Sequence, residues 1–310
     1  MNFCPNCGRK RNEENFCPNC GYKFCESESQ IINYNSDINN LETAFSLAVK
    51  EKQQEDDAKK QEEERLEKER QEKLKNRFKI YGVILEKYAG DESVVTIPEG
   101  VEYIAKECFY FNQFIKKVIF PKSLIKIEQN AFRSCNNLET VEFQEGITEI
   151  CDYGFSSCKK LKSITLPNSI KILGPACFSY CESLESISLP KNLKSLPTSM
   201  CYNCVHLTNI NLPINIEEIG MQSFYGCNCL ISIDLPYSLK SIQNYAFYNC
   251  SHLREIKFPS GLQNIGEVAF SMTDLKSVKI PRNCNFKKLE TSDNSIATTA
   301  FPPTCKIEIV

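Results

Sequence analysis

The chain has 310 residues, with 37 Lys and Arg against 39 Asp and Glu, a formal charge of -2 at pH 7 and 42% hydrophobic residues. That balance is ordinary for a folded protein and excludes a basic nucleic-acid stripe or an acidic tail. No run approaches the roughly 18 apolar residues of a membrane span, and the start Met-Asn-Phe-Cys-Pro lacks the basic-then-apolar pattern of a secretion signal. A cytoplasmic protein with reduced thiols is therefore expected.

Residues 1–25 contain two copies of one knuckle, Cys4-Pro5-Asn6-Cys7-Gly8 and Cys17-Pro18-Asn19-Cys20-Gly21. A Cys-x-x-Cys turn brings two thiolates onto one ion, and the following Gly gives the backbone freedom to approach the sulfurs. Four thiolates suit one structural Zn2+ held by Cys4, Cys7, Cys17 and Cys20. So short a segment buries too little surface to fold without it. The alternatives on the same sulfurs are a redox pair or an iron site. The segment resembles the small zinc-ribbon modules found at the N-termini of many bacterial proteins, a resemblance that implies zinc and no reaction. Cys25 lies beyond the knuckles and reads as a free thiol. Arg9, Lys10 and Arg11 in the intervening loop are the basis of an alternative nucleic-acid-binding reading, against which Glu13 and Glu14 follow at once.

Residues 26–40, rich in Ser, Asn and Glu, read as a flexible linker. Residues 41–77 contain neither Gly nor Pro and are dominated by strong helix formers. Glu55 with Lys59, Glu64 with Lys68 and Glu69 with Lys73 set the acid four residues before the base, the orientation that supports a helix. Apolar residues are too few for a heptad seam, so a solvated helical spacer is expected over a coiled coil.

From residue 78 onward the chain repeats. Pro98, Pro121, Pro167, Pro190, Pro213, Pro236 and Pro259 recur every 23 residues, with Gln144 in the vacant slot. An aromatic column follows at Phe109, Phe132, Phe155, Phe178, Phe224, Phe247 and Phe270, with Cys201 substituting once. Three residues beyond it stands a thiol column, Cys135, Cys158, Cys181, Cys204, Cys227 and Cys250. Each repeat closes on a pattern such as Leu184, Ile187, Leu189, Pro190, whose alternation reads as a short strand with one buried face. A constant period stacks equivalent columns, so residues 78–310 form a mainly β solenoid. Phe78 to Pro98 is expected to cap one end as a hairpin, with Gly90-Asp91 as its turn. A degenerate last turn around Phe301, Cys305, Ile307 and Ile309 is expected to cap the other.

On these motifs, together with Ala-Phe pairs such as Ala131-Phe132 and Ala246-Phe247, residues 78–310 resemble the BspA-like leucine-rich repeat family. The resemblance implies a repeat solenoid and, for many members, surface attachment and adhesion or protein binding.

The thiol column sits between apolar columns and is expected to pack as core. A second metal site from Cys201, Cys204, Cys227, Cys229 and His206 is disfavoured, because Cys201 fills an aromatic slot. No triad, carboxylate pair or phosphate loop appears, so no enzyme is expected. The candidate partner-binding face is the set of outward strand positions on the concave surface: Thr140 and Glu142, Ser163 and Thr165, Ser186 and Ser188, Asn209 and Asn211, Ser232 and Asp234, Glu255 and Lys257. A row of Tyr202, Tyr225 and Tyr248 is a rival surface. The reading is a cytoplasmic protein-interaction scaffold, with nucleic-acid binding through the ribbon, an adhesin-like role, or a thiol redox sensor as alternatives.

Overall fold

A computed structural model describes residues 3–4, 6–10, 17–20, 34–290, 296–298 and 300–310, which divide into two compact units, Met1–Gln71 and Glu72–Val310. Cys25, Arg11 and residues 26–33 of the expected linker lie outside the described residues.

The helix α1 runs Tyr34–Asn76, 43 residues, and so begins inside the stretch read as linker. At 1.5 Å per residue it is about 65 Å long. Leu47, Val49 and Leu66 are all about half exposed, so no described apolar stripe is covered. Arg65 pairs with Glu62 at 2.8 Å and Glu69 at 3.9 Å, one and the other neighbouring turn. Helix support therefore comes from propensity and surface pairs.

The second unit is a β-solenoid of about nine turns. One turn shows why the period is what it is. Ser186–Ser188 forms a three-residue strand, and Pro190, lacking an amide hydrogen, stops it soon after. Leu193 donates back to the Pro190 carbonyl at 3.2 Å and the chain enters a two-residue strand, Ser195–Leu196. The third side is a run of tight turns in which alternate amides point in different directions. Ser199, Cys201 and Asn203 donate to Met221, Ser223 and Tyr225 of the next turn, whereas Met200, Tyr202 and Cys204 donate locally to Pro197, Ser199 and Cys201. These six amides of the third side are thus all bonded, either across the stack or within the turn, as burial requires.

Equivalent strands pair in parallel, register upon register: Ser186 opposite Ser163 and Asn209, Leu196 opposite Ile219 of the strand Glu218–Ile219. The three-residue ladder runs in hydrogen-bonded segments, 94–142, 163–211, 232–257 and 277–309; the two-residue ladder runs from Ile84–Tyr88 to Asn285–Phe286 with one break after Ile172–Leu173.

The aromatic column stacks inside. Ring centroids lie 4.5 Å apart for Phe109 and Phe132, 5.0 Å for Phe132 and Phe155, and 5.1 Å for both Phe224 with Phe247 and Phe247 with Phe270. Cys201 breaks the stack, and fully buried Met200 stands beside it where other turns carry Ala246 or Ala269. The volume missing at one position is restored at its neighbour by a side chain adaptable enough to fill it.

The N-terminal cap is a hairpin, as expected, but its turn is elsewhere. Phe78–Tyr81 pairs antiparallel with Ile84–Tyr88, and the reversal falls at Gly82, with φ of 58°. Gly90 and Asp91 lie after the hairpin, on the way to the first three-residue strand, Val94–Thr96. A positive φ at the first loop position is what a two-residue hairpin turn demands, and Gly supplies it without strain. At the other end Phe301 stacks on Phe270 at 5.2 Å, and Lys306–Ile309 pairs in parallel with Ser277–Ile280. An antiparallel pair, Lys288–Glu290 with Ile296–Thr298, is inserted before that last turn.

Candidate functional site

Two arrangements stand out, one in each unit. In the first, the backbone around Cys4 folds back on itself: the Cys4 amide donates to the Arg9 carbonyl at 2.7 Å, and the Gly8 amide to the Cys4 carbonyl at 2.9 Å. Gly8 adopts φ of 68°, the left-handed geometry that its place after the knuckle requires. This turn brings all four sulfurs of Cys4, Cys7, Cys17 and Cys20 within 4.8 Å of one another, with Cys4 to Cys20 at 3.7 Å and Cys7 to Cys17 at 3.6 Å. They could hold a metal ion, and they are the only such group among the described residues. The amide of Arg9 and the side chain of Asn19 hold the Cys7 thiol down at about 6, whereas burial pushes Cys4 up to about 11. The Arg9 guanidinium donates to Asn19 Oδ1 at 3.3 Å, joining the two knuckles.

In the second unit, the twelve ladder positions fall where the alternation predicts. In each strand the central residue, Val141, Ile164, Ile187, Ile210, Ile233 or Ile256, turns toward the core, and its two neighbours turn outward. Thr140, Glu142, Ser232, Asp234, Glu255 and Lys257 flank the central positions. The latter, Ser163, Thr165, Ser186, Ser188, Asn209 and Asn211, line one groove of about 600 Å3. Glu142 is tied across turns to Lys117 at 2.6 Å.

The thiol column is core, and it also has a polar task. Cys135, Cys158, Cys181, Cys204 and Cys250 each donate to a carbonyl of the preceding turn, at Phe109, Phe132, Phe155, Phe178 and Phe224, over 3.1 to 3.3 Å. Burial pushes Cys158, Cys181, Cys204 and Cys227 well above the ordinary thiol range. Thiols held protonated and out of solvent are poor nucleophiles, which leaves little chemistry for a redox sensor here. No metal cluster assembles around Cys201, Cys204, Cys227 and Cys229 among the described residues. His206 lies outside, its Nδ1 2.7 Å from the Glu182 carbonyl.

The tyrosine row stacks as the spacing implies, Tyr202 to Tyr225 at 4.6 Å and Tyr225 to Tyr248 at 4.9 Å. Tyr180 extends it at 5.3 Å, although it sits one position out of column. Sequence reasoning also missed the exposed aromatics Tyr110, Phe111 and Phe114, whose crowding within one turn was the available signal.

Comparisons with known proteins agree with this architecture. A leucine-rich repeat protein of Bacteroides ovatus is 29% identical, with a TM-score of 0.61; the match covers 66% of this chain and 57% of that one. This chain thus spans little more than half the length of that relative. A leucine-rich repeat protein of T. pallidum is 26% identical with a TM-score of 0.43, covering 59% of this chain and 76% of its own. No curated protein matches the chain. The BspA type leucine-rich repeat region matches in 6 copies over residues 102–230 and 171–296. With its columns, its three hydrogen-bonded sides and this match over most of its length, the chain belongs to the BspA-type leucine-rich repeat family.

Proposed function

We propose that the protein is a non-enzymatic protein-interaction scaffold that binds a protein partner through the three-residue strand ladder, with a structural zinc ribbon at its N-terminal end and the charged helix α1 as spacer. The observation that carries this reading is the ladder itself: outward polar side chains repeated in register on consecutive turns, over a buried apolar row. Stacked repeats offer such extended surfaces to partners.

Zinc is favoured by the sulfur geometry. A tetrahedron with Zn–S bonds of about 2.3 Å has edges of about 3.8 Å, close to the 3.7 Å and 3.6 Å separations of Cys4 from Cys20 and of Cys7 from Cys17. Cys4, Cys7, Cys17 and Cys20 would hold the ion, which would supply a covalent-strength cross-link in place of a core. Thiol-to-carbonyl donation along the solenoid supports a reducing compartment, consistent with the cytoplasm.

The test is capture of partners from lysate by the full chain and by the variant N211A/D234A/E255A, with nuclease in half the samples, alongside metal analysis. We expect about one zinc per chain, lost in C17S, and a protein partner that survives nuclease and is lost in the ladder variant. Recovery that disappears with nuclease, or that the ladder variant leaves intact, sinks the reading and moves attention to Arg9 and Lys10.

A further inference from the structure

Where a turn leaves the three-residue ladder, the residue after the repeating Pro or Gln can cap the amides of the turn that follows. Glu145 does so with both carboxylate oxygens, Oε1 accepting from the Asn168 amide at 3.2 Å and Oε2 from Ser169 at 3.0 Å. In the same column Glu99 accepts from the Lys122 amide at 3.4 Å, and Asn168 Oδ1 from the Lys191 amide at 3.1 Å. The second amide of the pair is also capped from the other side: Ser123 Oγ and Ser169 Oγ accept from Gly100 and Gly146, both at 3.0 Å.

Both devices are missing at Ile214 and Asn215. Lys191 stands in the column of Glu99, Glu145 and Asn168, and an ammonium group has no lone pair to offer. Ser238, the equivalent of Ser123 and Ser169, donates instead to the Ile214 and Ile216 carbonyls at 2.7 Å and 2.6 Å. The exposed amides of Ile214 and Asn215 therefore bond to no protein group among the described residues. One turn on, the amides of Tyr237 and Ser238 are open as well, but there Ile214 takes the place of Lys191.

Charge selects what these donors meet. Lys191, Ile214 and Asn215 line the groove of about 600 Å3 together with Asn211 and the ladder hydroxyls, and Lys191 is the one charged residue of that lining. An ammonium beside two open N–H groups attracts an oxyanion. A single positive charge balances a carboxylate but leaves much of a phosphate's charge unmatched. Glu145 shows that neighbouring amides of this loop fit the two oxygens of one carboxylate. We propose that the Ile214 and Asn215 amides and the Lys191 ammonium clamp an Asp or Glu carboxylate of the protein partner, as Glu145 is clamped two turns earlier, and so seat an acidic segment of that partner in the ladder groove. This rests on the reading that the ladder is the recognition surface and names the chemistry that it recognises.

Amide 1H–15N spectra of the full chain test it, titrated with sodium acetate against sodium chloride of equal ionic strength, then with the acetylated and amidated peptide Gly-Ser-Glu-Ser-Gly and its Gln counterpart. Acetate should move the Ile214 and Asn215 amides downfield to saturation and leave the capped amides of Asn168 and Ser169 in place. The Glu peptide should bind at least fivefold more tightly than the Gln peptide. K191A, at an exposed side chain, should weaken the Glu peptide about threefold with unchanged thermal melting. K191E carries a carboxylate into the column, so its Ile214 and Asn215 amides should already be shifted and should ignore both acetate and peptide. Equal shifts at Asn168 and Ser169, tighter binding of inorganic phosphate than of acetate, equal binding of the two peptides, or K191E that still responds overturns the proposal. If the clamp fails while N211A/D234A/E255A still loses a captured protein, the carboxylate is wrong and the recognition face stands; if neither is seen, both fail.

Discussion

Two residues in every turn, four apart, take a left-handed backbone: Glu107 and Phe111, Asn130 and Ser134, and so on to Val268 and Met272, with φ between 55° and 61° at the non-glycine positions. The alternation of amides along the third side requires them, since a continuous right-handed helix would turn every amide inward on itself. Only Gly226 among these positions has the residue best suited to that geometry, with φ of 71°. Val268 is the worst suited, because a β-branched side chain crowds its own backbone there. Asn tolerates the same region, as Asn203 and Asn249 show. Val268→Asn should therefore stabilise the solenoid by about 1 kcal/mol, read as a higher denaturant midpoint with an unchanged slope. A lower midpoint would mean that packing of the half-buried Val268 side chain outweighs the strain.

At the scale of elements, the N-terminal cap carries a connected set of polar and aromatic contacts. In the N-terminal cap Arg77 pairs with Glu92 at 2.6 Å, Tyr88 donates to the same carboxylate, and the Tyr88 ring continues the aromatic column onto Phe109 at 4.9 Å. Burial works against the Glu92 charge, but the bonds from Tyr88 and Arg77 outweigh it and hold its carboxyl below the ordinary 4.5. A folded value below the unfolded one means that Glu92 contributes fully above pH 4.5 and loses its contribution as pH falls through the folded value. Glu92→Gln should thus cost about 1–2 kcal/mol at pH 7, and the variant and native curves should converge in acid. Parallel curves at all pH values would show that the carboxylate charge contributes nothing to the cap. The four-cysteine unit and α1 are elements of another kind. The first is assembled by side chains that converge on one point, the second by backbone propensity and surface ion pairs.

For the whole solenoid, contacts reach only to the adjacent turn, so its stability is close to a sum over turns and interfaces. Deleting residues 163–185, one full repeat, should keep every column in register and leave a folded, cooperatively melting β protein of somewhat lower stability. Deleting residues 163–173 alone would place strand residues opposite turn residues and should abolish the cooperative transition. Equal behaviour of the two deletions, followed by circular dichroism, would show that register does not govern the stack.

The period, the apolar columns, the outward ladder positions and the four cysteines of the knuckles were legible in the amino-acid sequence, because each is a matter of spacing along the chain that recurs. Ile187 between Ser186 and Ser188 declares its face through a period of two, and Phe132 declares its depth by returning every 23 residues. Tertiary structure alone decided the rest. Nothing in the spacing distinguishes Gly82 from Gly90 as the turn of the cap, since both precede strand-forming residues and only the pairing of Phe78 with Tyr88 chooses. Nor does it show that Met200 fills the gap beside Cys201, that Cys181 donates to a carbonyl 26 residues away, or that Ser238 is bound into the scaffold while Ser186 is left facing the groove. Periodicity determines which residues share a column; hydrogen bonds and packing depend on what the neighbouring turn places against them, and that is a property of the stack in space.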